Sequence, residues 1–398
     1  MKRDAIETIN LPVSGRKLAA YHVREPRNFD RPSKPFTRIA YAAAHVVADP
    51  WSTQEPWLDA AVDWDATIAY RRHLWSWGLG VAEAMDTAQR GMGMDWPASL
   101  ELIRRTIEAS RGTRGALVGC GIGTDHLEPD PALKIDRVIA AYEEQCAAVE
   151  KLGGRIVLMA SRALAACARS PDDYGRVYGR VLAQVKEPVI IHWLGEMFDP
   201  ALAGYWGHQD HRKAMDVCLE VIGRSASKVD GIKVSLLDKD KEIAMRRRLP
   251  KGVRMYTGDD FNFAELIEGD GQGHSDALLG IFDAIAPAAS AGLSALAAGD
   301  RDAYHDILAP TVALSRHIFR APTRFYKTGV VFLAWLNGHQ EHFVMVGGQQ
   351  SARSLLHLAE LFRLADASGL LSDPALACRR MKKFLATQGV ASQQRRDK

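Results

Sequence analysis

The chain has 398 residues and a formal net charge of +3, with 51 Lys and Arg scattered among 48 Asp and Glu, which argues against the basic stripe of a nucleic-acid binder. Its five cysteines, Cys120, Cys146, Cys167, Cys218 and Cys378, are far apart and odd in number, so neither a disulfide framework nor a zinc cluster is indicated and a reduced, cytoplasmic setting is expected. No stretch approaches the roughly 18 uncharged apolar residues of a membrane span, and MKRDAIETINLPVSG lacks the apolar segment of a secretion signal, so a soluble protein with no membrane partner is expected.

In chain order, residues 1–36 hold INLPVSGRKLAAYHV, a hairpin turning at Ser14-Gly15, and the proline-rich loop REPRNFDRPSKPF. We read this segment as an N-terminal extension that caps the body of the protein. From 37 to 285, short apolar runs alternate with amphipathic stretches of helical length, the pattern of repeated βα units and a parallel sheet. The strand candidates cover 37–48, 79–87, 114–122, 154–161, 188–195, 229–237, 252–260 and 273–282. Between them lie helices such as WPASLELIRRTIEASRG, with Pro97 in its first turn and Gly112 at its end. Eight such units predict an α/β protein built on a closed (β/α)8 TIM barrel, in which chemistry gathers where the strands end. From 286 to 398 the pattern is helical, and we expect a C-terminal helical extension. Its apolar residues would suit a subunit interface or packing against the chain's own barrel. The basic tail QQRRDK is too short to alter the charge argument.

Polar groups near strand ends are the candidates for a site. His45 and Asp49 follow the first strand. Asp86 and Thr87 end the second, with Gly91 and Gly93 loosening the loop beyond. Ser161 and Arg162 end the fourth, and Arg162 suits a substrate carboxylate as well as it suits solvent. His192, with Glu196 four residues on, follows Val189-Ile190-Ile191 and is placed for proton transfer or for a structural hydrogen bond. Lys233 stands out most, in VDGIKVSLLDKD. An ammonium in a buried strand is costly unless it is paired or gives up its proton, and the neutral amine is a nucleophile. Gly231 and Ser235 share its side of the strand and are small. Snorkelling to the rim is the blander account. Asp259 and Asp260 end the seventh strand in YTGDDFNF, where one of them is expected to cap the next helix. His274 and Asp276 lie in the glycine-rich GQGHSDALLG.

These residues resemble a family. VDGIKVSLLDKDKE is similar to the Schiff-base lysine strand of the dihydrodipicolinate synthase and N-acetylneuraminate lyase superfamily. VRMYTGDD resembles its following strand, GDGQGHSDALLG its glycine-rich stretch, and LAAGDRDAYHDILAPTVALSRHIF its C-terminal helices. The resemblance runs from about 37 to 370, and the extended N-terminus suggests a divergent branch. It implies a (β/α)8 barrel with C-terminal helices, a homo-oligomer (dimer or tetramer), no cofactor, and an imine between Lys233 and the ketone of a 2-keto acid. Two departures stand out. The fourth strand ends Leu158-Met159-Ala160-Ser161 without the family's proton-relay tyrosine, and the second-strand loop reads Met85-Asp86-Thr87-Ala88-Gln89-Arg90-Gly91, where an acidic Asp86 would repel a carboxylate.

The resulting expectation is a lyase or aldolase acting on a keto acid or sugar-derived keto compound. Lys233, His192 and Asp259 would be catalytic, His192 or Asp259 standing in for the tyrosine. Asp86, Thr87, Ser161, Ser235, Asp260 and His274 would bind substrate. Two other readings stand beside it. One is a metal-dependent sugar isomerase or epimerase using His45, His192, Asp259, Asp260 or His274 as ligands. The other is an inactive ligand-binding barrel.

Overall fold

The apolar runs become eight short strands whose residues are almost all buried, because a parallel sheet covered by helices leaves neither face to water. The structure, a computed structural model, describes residues 5–390, so the QQRRDK tail lies outside the described residues. A hairpin comes first, β1 (Ala5–Val13) and β2 (Lys17–Arg24), turning with Gly15 and Arg16 at positive φ, 77° and 58°. The barrel strands follow: β3 (Ala40–Ala43), β4 (Gly80–Glu83), β5 (Val118–Ile122), β6 (Arg155–Met159), β7 (Val189–Leu194), β8 (Val229–Ser235), β9 (Arg254–Thr257) and β10 (Asp276–Leu279). All pair in parallel with their sequence neighbours, and β10 also pairs with β3, so the sheet closes without an edge.

Helices between the strands start where the sequence supplies caps. Asp63, Asp95, Asp210 and Asp238 each accept a backbone N–H of the first turn of the helix they precede, worth about 1 kcal/mol apiece. Pro97 sits in the first turn of Trp96–Arg111 and Gly112 closes it, as the sequence predicts.

The barrel lumen carries its own small apolar cluster, including Tyr41, Ala82, Met85, Val157, Ile190, Tyr256 and Leu278. Glycines make room for the two tyrosines. A Cβ on Gly80 would lie 2.6 Å from the Tyr41 ring, and one on Gly231 would lie 2.7 Å from the Tyr256 ring. The small size of Gly231 therefore accommodates Tyr256 rather than freeing space beside Lys233.

Beyond the barrel run helices Ala286–Ala297, Arg301–Ile318, Tyr326–Leu336, Leu355–Ala367 and Pro374–Thr387. The hairpin docks on the last two of these. Tyr21 Oη donates to Asp366 Oδ2 at 2.7 Å, the Arg24 N–H donates to Asp366 Oδ1 at 3.1 Å, and Arg363 donates to the Pro12 carbonyl at 3.0 Å. One hydrophobic core unites Ile9, Leu11 and Val23 of the hairpin with Phe282 after β10 and with Leu361 and Phe362 of the C-terminal helices. The hairpin thus covers the helical extension. Among the described residues no helix is long and apolar enough to cross a membrane.

Candidate active site

Lys233 lies in the middle of β8 with its side chain turned into the barrel, in register with His192 of β7 and Tyr256 of β9. Only 5% of it is exposed. Its Cε packs over Gly258, where a Cβ would stand 2.8 Å away, so the residue after β9 must be glycine for the lysine to extend. Among the described residues, no hydrogen bond and no ion pair engages the ammonium. Burial lowers its pKa below 10.5, while the negative charges of Asp86 and Asp260 pull the other way.

Asp260 and Asp86 reach this lysine from different loops. Asp260 follows β9 and accepts the Ile281 N–H at 2.8 Å. Burial pushes its carboxyl up to about 8 against the opposing pull of the Lys233 charge. Asp86 opens the turn Asp86–Ala88 after β4, and its Oδ2 accepts from Tyr326 Oη at 2.9 Å, with Lys327 Nζ 3.8 Å away. Tyr326 Oη is also 2.6 Å from Thr87 Oγ1. A phenol has one proton, so with Asp86 as its acceptor the chain runs from the Thr87 hydroxyl to Tyr326 to the carboxylate. Burial and Asp86 hold the Tyr326 phenol well above 10, keeping it protonated. Lys327 also donates to the Arg324 carbonyl at 3.0 Å and offsets the charge of Asp86.

His192 is buried, with Nε2 3.1 Å from Ser235 Oγ and Nδ1 without a hydrogen-bond partner. Burial, and then the nearby Lys233 charge, hold it well below 6.5, so it is a neutral imidazole. A cavity of about 300 Å³ opens at this end of the barrel, reaching His192, Asp86 and Met159, with Arg90, Asp125 and Arg162 in its walls. Arg90 is saturated: it forks onto Asp125 at 2.6 and 3.0 Å and donates to the Gly121 carbonyl. Arg162 is fixed through Nε to Asp199, and its terminal nitrogens lie over Gly91, where a Cβ would come within 2.9 Å.

The structure thus gathers Lys233, His192, Ser235, Asp86, Thr87 and Asp260. It does not gather the rest. Asp259 spends its carboxylate on the N–H groups of Phe261 and Asn262 (2.8 and 3.0 Å) and on Asn262 Nδ2 (2.8 Å), closing the turn ahead of helix Phe263–Glu268, whose N-cap is Asn262 and neither of the two aspartates that the sequence suggests. The Ser161 hydroxyl caps helix Arg162–Cys167 through the Leu164 N–H and bonds Thr124. His274 precedes β10 and is exposed at the opposite end of the barrel, since a residue before a strand lies away from the mouth. His45 is locked by Asp283 at 2.8 Å. Among the described residues no three His, Cys, Asp or Glu side chains converge to hold a metal. The residues missed from sequence are Tyr326 and Lys327. Their signal was a Tyr-Lys pair heading the helix TGVVFLAWL, which is buried on every face and so brings its polar start into the interior.

Comparison with solved structures extends the fold. The chain is similar to dihydrodipicolinate synthase from Aquifex aeolicus, with a TM-score of 0.62 and 12% identity over 84% of this chain and 99% of that one. It is similar to the chloride-inhibited dihydrodipicolinate synthase from Acinetobacter baumannii complexed with pyruvate (0.60, 14%, 84% and 99%). It is also similar to a prophage protein of the dihydrodipicolinic acid synthase family from E. coli, in complex with pyruvate (0.61, 13%, 89% and 99%). At these identities the likeness shows the barrel with its C-terminal helices. No curated protein matches the sequence. Residues 9–390 match the family described as "Protein of unknown function (DUF993)", and the chain belongs to that family.

Proposed function

We propose that this protein is a lyase or aldolase of the imine-forming class, in which Lys233 attacks the ketone of a keto acid or a sugar-derived keto compound. The observation that carries the reading is a buried ammonium that, among the described residues, has no hydrogen-bond or ion-pair partner, on a barrel strand beside a cavity. Burial favours the neutral amine, which adds to the carbonyl carbon. The resulting carbinolamine loses its oxygen as water and becomes a protonated imine. That imine takes up the electron pair released when the neighbouring carbon–carbon bond breaks, or returns it when the bond forms.

Proton transfer falls to Tyr326. Its phenol is neutral, so it donates to the departing oxygen, and the proton that Lys233 gives up on becoming a neutral amine, relayed through the Thr87 hydroxyl, restores it while Asp86 holds it in line. Asp259, bound in the turn it closes, has no part in this step. His192, neutral and steadied by Ser235, offers its lone pair to a substrate hydroxyl, and Asp260 balances the charge of the imine. The Lys327 charge beside Asp86 weakens the repulsion that an acidic residue would exert on a keto acid. Two structural neighbours are complexes with pyruvate, a 2-keto acid, which supports that substrate class. A cytoplasmic homo-oligomer, dimer or tetramer, belongs to the same reading. A metal-dependent isomerase gains no support from the residues, because His45 is held by Asp283 and His274 lies at the other end of the barrel.

The test is intact mass after sodium borohydride reduction with a panel of 2-keto acids and keto sugars, Lys233→Ala serving as control. An adduct on the wild type that vanishes in the variant is the expected result, and its mass names the compound captured. No adduct from any compound would remove the imine.

A further inference from the structure

A second cavity, of about 220 Å³, shares no wall with the first. Its walls include Tyr70, His73 and Trp77 from the first barrel helix, Asp283 after β10, His339 beyond helix Tyr326–Leu336, and Phe29 from the N-terminal loop. It thus forms where three separate parts of the chain meet.

Its chemistry is unusual for a packing defect. The rings of His73 and His339 lie 4.3 Å apart, and Tyr70 stacks on one at 5.4 Å and meets the other edge-on at 5.1 Å. Among the described residues neither imidazole ring has a hydrogen bond. Burial drops His73 to about 4 and His339 to about 3, the nearby Arg31 lowering the first further and His73 itself the second. Both rings are therefore neutral at pH 7, and each offers one N–H donor and one bare lone pair. Half-buried in the wall, the two rings present these groups to whatever enters the cavity.

Nothing charged is left over to be that partner's recognition element. Asp283 is consumed by the Nδ1 and backbone N–H of His45, at 2.8 and 2.6 Å. Arg27 is paired with Asp306, and Arg31 is stacked on the Trp77 ring, 3.6 Å from its centroid, and bonded to Ser76. What faces the space is aromatic surface with alternating donors and acceptors at its edge, a combination suited to a flat ring system.

We propose that this cavity binds a small, neutral, flat heteroaromatic molecule whose edge carries both an N–H donor and a ring-nitrogen acceptor, as a nucleobase does. The two histidines read that edge, and Phe29, Tyr70 and Trp77 cover its faces. The site is independent of the Lys233 chemistry.

The experiment is an NMR titration of the full chain, labelled in its histidine rings, with adenine and hypoxanthine as probes and cyclohexanol as a non-planar control. Saturable shifts of the His73 and His339 signals with a purine, and none with cyclohexanol, are expected. His73→Phe and His339→Phe, with folding checked by circular dichroism, should each weaken binding at least tenfold, while Lys233→Ala should bind as the wild type does. The absence of shifts at both histidines up to the solubility of each purine would overturn the proposal, as would binding that survives both substitutions. If the phenylalanine variants fail to fold, the wild-type titration decides alone.

Discussion

Arg71 and Lys233 are both buried in the barrel, and the chain treats them in opposite ways. Arg71, between helix and sheet, sends Nε and Nη2 to the two oxygens of Glu83 at 2.8 Å each, and Nη1 to the carbonyls of His45 and Thr67. Glu83 in turn accepts from Thr106 at 2.6 Å and from the Ala84 N–H at 3.0 Å. Lys233, in the lumen, has none of this. A guanidinium with four of its five N–H donors engaged is fixed and inert, and its removal leaves a bare carboxylate. An ammonium left without a hydrogen bond is destabilised as a cation, and its relief is to lose a proton or form a bond to carbon.

The largest expected effect breaks the contrast at the lysine. Lys233→Met should abolish the borohydride adduct altogether and raise the urea midpoint, since an unpaired buried charge gives way to an apolar chain of similar reach, by about 1 kcal/mol or more. A midpoint that falls would mean the ammonium is satisfied in solution. The mirror experiment is Glu83→Gln, which strands Arg71. It should cost about 3–5 kcal/mol in urea unfolding while leaving the folded fraction able to form the adduct.

Tyr326→Phe sharpens the chemical side. Imine formation should slow by about 10²-fold, the lower range for a lost general acid, with stability changed by about 1 kcal/mol. Equal rates in stopped-flow trapping would exclude the phenol as proton carrier. A pH profile separates the charges that act on the lysine. Because burial lowers the Lys233 pKa, the neutral fraction and the trapping rate should rise with pH to a midpoint below 10.5. Asp260 favours the ammonium, so Asp260→Asn should move that midpoint lower still, and an upward movement would reverse the assigned sign. The smallest effects belong to residues outside the mouth. Asp259→Ala should cost about 1 kcal/mol through the turn hydrogen bonds it loses and, like His274→Ala, leave trapping within about twofold, as read by adduct mass against time.

The sequence carries the barrel and its lysine because both are local signals. Eight apolar runs bounded by turn residues are each visible within a few positions, and a charged residue amid Ile232 and Val234 is visible within one strand. The mouth is another matter. Asp86 and Tyr326 meet across 240 positions, and no spacing rule links a loop after the second barrel strand to a helix of the C-terminal extension. Of the neighbours Asp259 and Asp260, one closes the turn after the strand and one faces the lysine, and the choice depends on where the strand stops. His274 fails for a related reason. The run containing it begins before β10 itself does, so a residue taken for the mouth lies at the floor.

Helix Tyr326–Leu336 begins with the phenol that touches Asp86 and Thr87, and Ala334 in its last turn walls the second cavity. For anyone wishing to dissect or graft this protein, the barrel is not a transplantable part. A fragment cut near residue 285 would keep all eight strands and the lysine, yet would lose the phenol proposed as proton donor, the counter-charge to Asp86 and a wall of the second pocket in one stroke.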